Sequence, residues 1–189
     1  TLKAGKKVAV ASEDGTETVY EADHIIIATG ARARELPSLP QDGKKVIGYR
    51  EAMTLPKQPK KLIVVGSGAI GVEFAYFYNA MGTNVTLVEY MPRIVPVEDE
   101  EISKQMERSF TKSGIKVMTS AEVTKVDTSG KGVKATVKTD KGEEVLSADI
   151  VLSAVGIKTN IENIGLEELG IATDRDKIIV NDFYQTNLP

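Results

Sequence analysis

Two periodicities alternate along the middle of this chain. Lys61-Leu62-Ile63-Val64-Val65 becomes apolar and stays so, the pattern of a strand buried on both faces of a parallel sheet. Ile70, Phe74, Phe77, Tyr78 and Met81 then recur at helical spacing, predicting a helix over 69–81 that Gly82 ends. Asn84-Val85-Thr86-Leu87-Val88-Glu89 predicts a second parallel strand. Negative charge at 98–101 opens another helix, Ile102, Met106 and Phe110 give it one apolar face, and Gly114 ends it before a third strand over 115–118. The pattern next changes to alternation at Val123-Thr124-Lys125-Val126, 133–138 and 144–146, an antiparallel meander, and returns to a buried strand over 150–155. Residues 48–59, with Pro56 and Pro59, read as a linker holding a short helix over 50–54. The predicted class is α/β: a Rossmann-like parallel sheet with helices and an inserted three-stranded antiparallel meander.

The joint between the first strand and helix is Gly66-Ser67-Gly68-Ala69-Ile70-Gly71. In G-x-G-x-x-G after an apolar strand, the glycines have separate tasks: Gly66 allows the tight turn, Gly68 lets backbone approach a pyrophosphate, and Gly71 lets helix and strand pack closely. The following helix aims its free N–H groups and positive dipole end at the phosphates. Glu89 lies 23 residues after Gly66, near the spacing at which this fold puts an acid on the adenosine ribose. A carboxylate about 4 Å from the extra phosphate of NADP costs roughly 4 kcal/mol per charge pair at an effective dielectric near 20. The next arginine is Arg93, so the expected ligand is NAD(H) rather than NADP(H).

A second signal is an internal repeat. Ala22-Asp23-His24-Ile25-Ile26-Ile27-Ala28-Thr29-Gly30 aligns without gaps on Ala148-Asp149-Ile150-Val151-Leu152-Ser153-Ala154-Val155-Gly156, and each copy follows a predicted hairpin, turning at Asp14-Gly15 and at Asp140-Lys141-Gly142. The second copy closes the domain that Gly66 opens. The first, with strands expected over 8–12, 18–21 and 25–28, then closes an earlier domain of the same kind whose own glycine turn lies outside this sequence. Residues 157–189, with Gly165, Gly170 and an apolar strand over 178–180, read as cut within a domain. The whole reads as a segment of a longer protein.

Composition narrows the chemistry. With 24 basic and 27 acidic side chains the net charge is −3, which argues against a nucleic-acid surface. No apolar run reaches eighteen residues, so no membrane span is predicted and a cytoplasmic location is expected. There is no cysteine and His24 is the sole histidine, so thiol nucleophiles, Ser-His-Asp arrangements and the common metal clusters are not expected. The acidic run at 98–101 reads as a solvated first turn, because adjacent carboxylates on a helix diverge.

Four stretches then resemble one family. Ala28-Thr29-Gly30-Ala31, Gly66-Ser67-Gly68-Ala69-Ile70-Gly71-Val72-Glu73, Glu89-Tyr90-Met91-Pro92-Arg93-Ile94-Val95-Pro96 and Leu166-Glu167-Glu168-Leu169-Gly170-Ile171 are similar to the flavoprotein disulfide reductases, and within them to the dihydrolipoamide dehydrogenases. The resemblance implies an FAD domain interrupted by an NAD domain: 1–43 from the FAD-binding domain, 44–156 the NAD-binding domain, 157–189 the return to the first. It implies that residues 66–71 wrap the NAD pyrophosphate, that Glu89 binds the ribose, and that Glu73, beyond Val72, meets the nicotinamide end. Val123 and Gly156 would line the NAD site, and Thr29, Gly30 and Ala31 would face FAD. Glu73 also fits an acidic residue placed early in a helix by the dipole.

The family's reaction passes electrons from dihydrolipoamide through a cysteine pair and FAD, with hydride transfer to NAD. The resemblance further implies a homodimeric parent that works with components of a 2-oxo acid dehydrogenase complex. Neither the cysteine pair nor the family's His-Glu pair is present, and Gly156 is followed by Ile157-Lys158-Thr159-Asn160 where relatives often carry Arg and Pro. Ala69 stands where some relatives have a bulky aromatic, so a less obstructed nicotinamide pocket is expected. The chain alone is expected to bind NAD(H) without the full activity, and no catalytic residue or metal ligand is assigned to it. Two alternatives stay open: another FAD/NADH reductase, such as an NADH oxidase or coenzyme A disulfide reductase, and a stand-alone non-catalytic nucleotide-binding module.

Overall fold

A computed structural model describes residues 1–189. The chain divides into two units, one made of residues 33–157 and the other of 1–32 together with 158–189. The larger unit includes residues 33–43, because the segment carrying Leu39, which is wholly buried, packs into its core.

In the larger unit the elements are β1 (Val46–Ile47), α1 (Tyr49–Met53), β2 (Lys61–Val65), α2 (Ala69–Ala80), β3 (Asn84–Val88), α3 (Glu100–Lys112), β4 (Lys116–Met118), β5 (Glu122–Asp127), β6 (Val133–Thr139), β7 (Gly142–Ala148) and β8 (Ile150–Ser153). The main sheet is parallel, in the order β1-β8-β2-β3-β4. Along β2, Leu62 and Val64 enter the core under the helices, with Val72, Ala75, Tyr78, Phe110 and Ile115, whereas Ile63 and Val65 enter the core under the meander β5-β6-β7, with Val123, Val133, Ala135 and Val137. Burial on both faces accounts for the unbroken apolar run. Each such side chain contributes about 1.5–3 kcal/mol over its exposed state.

Side-chain clips fix the ends of the elements. Asp149 accepts hydrogen bonds from the backbone N–H groups of Lys60 (2.8 Å) and Lys61 (2.9 Å), which sets the start of β2 against the start of β8. The hydroxyl of Tyr78 donates to the carbonyl of Ala52 at 2.6 Å and ties α2 to α1; burial pushes the Tyr78 phenol pKa up. Asp99 caps α3 by accepting the N–H of Glu101 at 2.8 Å. At the edge of the unit Arg34 N–H donates to the Gly156 carbonyl at 3.0 Å, so the points where the chain enters and leaves it lie side by side.

Three expectations about apolar faces need correction. On α2 the buried positions are Gly71, Val72, Ala75 and Tyr78, while Phe77 and Met81 stay 53% and 58% exposed. The helix lays Gly71, Val72 and Ala75 inward, which allows close approach, with Ile70, Phe74 and Tyr78 packed on the same core, and turns Tyr76, Phe77 and Met81 outward. On α3 the inward face runs through Ser103, Met106 and Phe110, and Ile102 is exposed. In the smaller unit the strand is Lys177–Ile178, paired with Thr173–Asp174, so of the expected strand over 178–180 only Ile178 forms.

The repeat holds for one step and then diverges. Lys7–Ala11 and Glu17–Glu21 pair as an antiparallel hairpin, as β6 and β7 do. Residues 25–28, however, form no strand, and Ile26 is 90% exposed. Its counterpart β8 lies between β1 and β2, whereas no strand of this chain runs beside 25–28. Asp23 likewise accepts none of the backbone hydrogen bonds that Asp149 does.

The smaller unit is held at one point by a charge cluster. Glu162 accepts from Arg32 at 2.6 Å and pairs with Lys158 at 2.7 Å. The Arg32 hydrogen bonds, and then those from Lys158, hold its carboxyl well below the usual carboxylate range. A carboxyl whose folded pKa is depressed adds stability that is present above its unfolded pKa, about 4.3, and is lost as pH falls through the folded value. The stability difference between wild type and Glu162→Gln is therefore expected to be constant near neutrality and to shrink below about pH 4. Denaturant titrations from pH 7 to pH 2 check this; a difference that grew on acidification would refute it. The side chains are solvent-accessible, so the difference is also expected to fall with added salt.

Candidate functional site

At the carboxyl ends of β2, β3 and β8 the larger unit opens a cleft of about 600 Å³. This is the point of the sheet where connections diverge, with β2 leading through α2 to β3 on one side and β8 lying on the other, the place where open α/β sheets hold ligands. Its floor is Gly66, Ser67 and Gly68, followed by Ala69 and Ile70 at the start of α2. The N–H groups of that first turn have no partner inside the helix, and no side chain caps them.

The three motif glycines separate by cause. Gly66 has φ +96° and a side chain there would meet the Ala154 carbonyl oxygen at 2.5 Å. A side chain on Gly71 would run into the carbonyl of Gly66. Both are demanded by the fold itself. Gly68 is not: its φ is −67°, and a side chain there would touch nothing within 4 Å. The chain offers no steric reason for glycine at 68, and the space in question opens onto the cleft.

Glu89, at the end of β3, is buried to 7% exposure and organises this turn. Its Oε2 accepts both the N–H of Ser67 (2.7 Å) and the Ser67 hydroxyl (2.6 Å), and its Oε1 accepts the N–H of Met91 (2.8 Å). From the other side Val95 N–H donates to the Ser67 carbonyl at 3.0 Å. Val95 adopts φ +40°, a region that costs a β-branched residue of order 1–3 kcal/mol and persists only when the surroundings over-determine it. They do so here: its side chain is buried, and its carbonyl accepts from Glu98 N–H and the Ser103 hydroxyl.

The charge pattern of the cleft is one-sided. Glu89 and Glu122 are its charged lining residues, while the Arg34 guanidinium stands behind the rim at Gly156 and Ile157, donating to the Ile157 carbonyl at 3.2 Å. The Arg93 guanidinium is turned to the carbonyls of Pro96 (2.9 Å) and Glu98 (3.4 Å) and lies 3.9 Å from Glu100. An anion in the cleft would be met by backbone N–H groups and the helix dipole rather than by cations.

Of the residues singled out by the sequence, Gly66, Ser67, Gly68, Ala69, Ile70, Glu89, Val123 and Gly156 line this cleft. Gly71 and Val72 are buried beneath it. Glu73 is exposed on the second turn of α2, outside the lining and past the first turn where the dipole acts. Thr29, Gly30 and Ala31 belong to the other unit, where Asn160 donates to the carbonyls of Gly30 (3.0 Å) and Thr29 (3.1 Å). The sequence reading missed the walls: Leu36 and Leu39 on one side, Pro96 and Val97 on another. Leu39 could have been found as an apolar residue closing the Leu36 turn, to whose carbonyl it donates at 2.9 Å.

Comparison with known proteins agrees with this architecture. Against the dihydrolipoyl dehydrogenase of Rhizobium etli the chain is 50% identical over 173 residues, covering 91% of this chain and 36% of that protein. Against that of Zymomonas mobilis it is 43% identical over 190 residues, covering 99% and 40%. The crystal structure of LpdA from Mycobacterium tuberculosis superposes with a TM-score of 0.81 at 32% identity, covering 93% of this chain and 38% of that one. The chain thus spans well under half the length of these relatives. The family model for pyridine nucleotide-disulphide oxidoreductase matches residues 1–189. Sheet order, glycine turn and whole-chain match converge: the chain belongs to the pyridine nucleotide-disulphide oxidoreductase family, whose members are enzymes.

Proposed function

We propose that the cleft holds NAD(H) and that the chain is the NAD(H)-binding region of a dihydrolipoamide dehydrogenase, working with FAD and with 2-oxo acid dehydrogenase components in the whole protein. The observation that carries the reading is Gly68: a glycine with ordinary backbone and open space around its missing side chain, at the mouth of an uncapped helix. The requirement for glycine there comes from outside the chain, from a group that must approach the backbone closely.

In this reading the N–H groups at the start of α2 bind the pyrophosphate, and Glu89 receives the adenosine ribose. With no lysine or arginine in the lining beside Glu89, and Arg93 engaged elsewhere, a ribose hydroxyl is favoured over a ribose phosphate at Glu89. Val65, Val123 and Val155 exclude water along the sheet side. Ala69 adds only a methyl group at the mouth, so the cleft stays open where the nicotinamide would lie. NAD, when bound, supplies hydride acceptance. The chain has no cysteine, so it contributes binding and orientation rather than thiol chemistry. Residues Thr29, Gly30 and Ala31 are proposed as part of the FAD-facing loop, and Glu73 as a residue of the nicotinamide end.

The test is an NADH fluorescence titration of the 189-residue chain and of Gly68→Val. Wild type is expected to bind, and the variant to lose at least about a hundredfold in affinity while still unfolding cooperatively within a few degrees of wild type, since no atom of the fold lies within 4 Å of the added Cβ and the helix loses only a favourable N-cap glycine. Equal titration curves would refute the site. Rapid lipoamide reduction by the chain alone would refute the division of labour.

A further inference from the structure

An ionised carboxylate offers about four acceptor positions, two on each oxygen. Three of those on Glu89 are occupied from within the chain: Ser67 N–H and the Ser67 hydroxyl on Oε2, and Met91 N–H on Oε1. We infer that Ser67 is a specificity-determining residue that closes Oε2, so that Glu89 accepts one adenosine-ribose hydroxyl, through Oε1, and not the 2′- and 3′-hydroxyls together. The inference rests on NAD(H) as the occupant of the cleft and states how that occupant is read.

The geometry leaves little room for another arrangement. Ser67 is wholly buried, so its hydroxyl cannot turn outward to take a ribose hydroxyl in exchange. Its peptide is held at both ends, by Glu89 at the N–H and by Val95 at the carbonyl. The Glu89 main chain is fixed as well, its N–H donating to Met118 and its carbonyl accepting from Ala121. The carboxylate therefore cannot swing to present both oxygens without giving up two short hydrogen bonds to Ser67. Loss of the hydroxyl at 67 opens one position on Oε2 while the Ser67 backbone bond stays.

The experiment measures NADH and its two analogues lacking the 2′- or the 3′-hydroxyl of the adenosine ribose, binding to wild type and to Ser67→Ala. In wild type one analogue is expected to bind within about twofold of NADH and the other about tenfold or more weaker, the loss of a single hydrogen bond to a charged group. In Ser67→Ala the tolerated analogue is expected to become about tenfold weaker than NADH too, because the freed position then accepts the second hydroxyl. These ratios are unaffected by a general loosening of the site, which weakens all three ligands alike. Equal sensitivity to both deletions in wild type, or unchanged ratios in Ser67→Ala, overturns the inference while leaving NAD(H) as the ligand. Failure of wild type to bind NADH at all overturns the occupant and the inference with it.

Discussion

Placing a methyl group on Gly71 is expected to lower the melting temperature of the chain by roughly 6–12 °C. The added carbon would run into the carbonyl of Gly66 and come within 3.4 Å of the Ala154 side chain. A backbone carbonyl has no rotamer through which to give way, so the cost falls at about 3 kcal/mol, the upper part of the range for overpacking. At this chain length each kcal/mol moves the midpoint by about 2–4 °C. Gly68→Ala, three residues away in the same motif, is expected to leave the midpoint unchanged, since its methyl group meets nothing. Thermal unfolding followed by circular dichroism separates the two. If Gly71→Ala melted with the wild type, the helix would be free to lift from the turn, and the close packing described for α2 would be wrong.

Exchanging Glu89 for glutamine is expected to erase most of the preference for NADH over NADPH. The charge term that disfavours the extra ribose phosphate of NADPH at this position, about 4 kcal/mol at 4 Å and an effective dielectric near 20, corresponds to as much as a thousandfold in affinity. Glutamine removes that charge and keeps the shape. It also carries a cost: with its oxygen on Ser67, its amide nitrogen points at Met91 N–H, donor against donor, which destabilises by about 1–3 kcal/mol. Absolute affinities for both nucleotides therefore fall, and the informative quantity is their ratio. A ratio unchanged from wild type would show that the acid is a support for the turn alone.

The parts of this molecule that the sequence announces are those where one residue type has one physical use. Leu62 to Val65 can be uniformly apolar because each face of β2 meets a different core, and continuous apolarity is legible. Glycines at 66 and 71 are legible because only the absence of a side chain fits. The inward face of α2 was less so, because Phe77 and Met81 satisfy helical spacing as well as Val72 and Ala75 do, and the choice was made by how closely the helix must approach the sheet. Residues 25–28 mislead for a related reason. Their composition is that of a buried strand, but a strand needs neighbours, and composition does not carry them. In the cleft the same contrast holds: the spacing of Glu89 from Gly66 is readable, whereas the bonds from Ser67 and Met91 that fix its orientation, and the one from Val95 that holds Ser67, depend on a backbone path through 90–98 that no local pattern encodes.

The hydrogen bond between Arg34 and Gly156 joins the first and last turns of the larger unit at 3.0 Å. A segment whose ends meet occupies its host polypeptide as a loop with almost no span. The entropy a surrounding chain loses in closing around it depends on that short gap and not on the length enclosed. Such a unit can be carried from one polypeptide to another as a single insertion, and its cleft travels with it, because the residues lining that cleft all fall within 33–157.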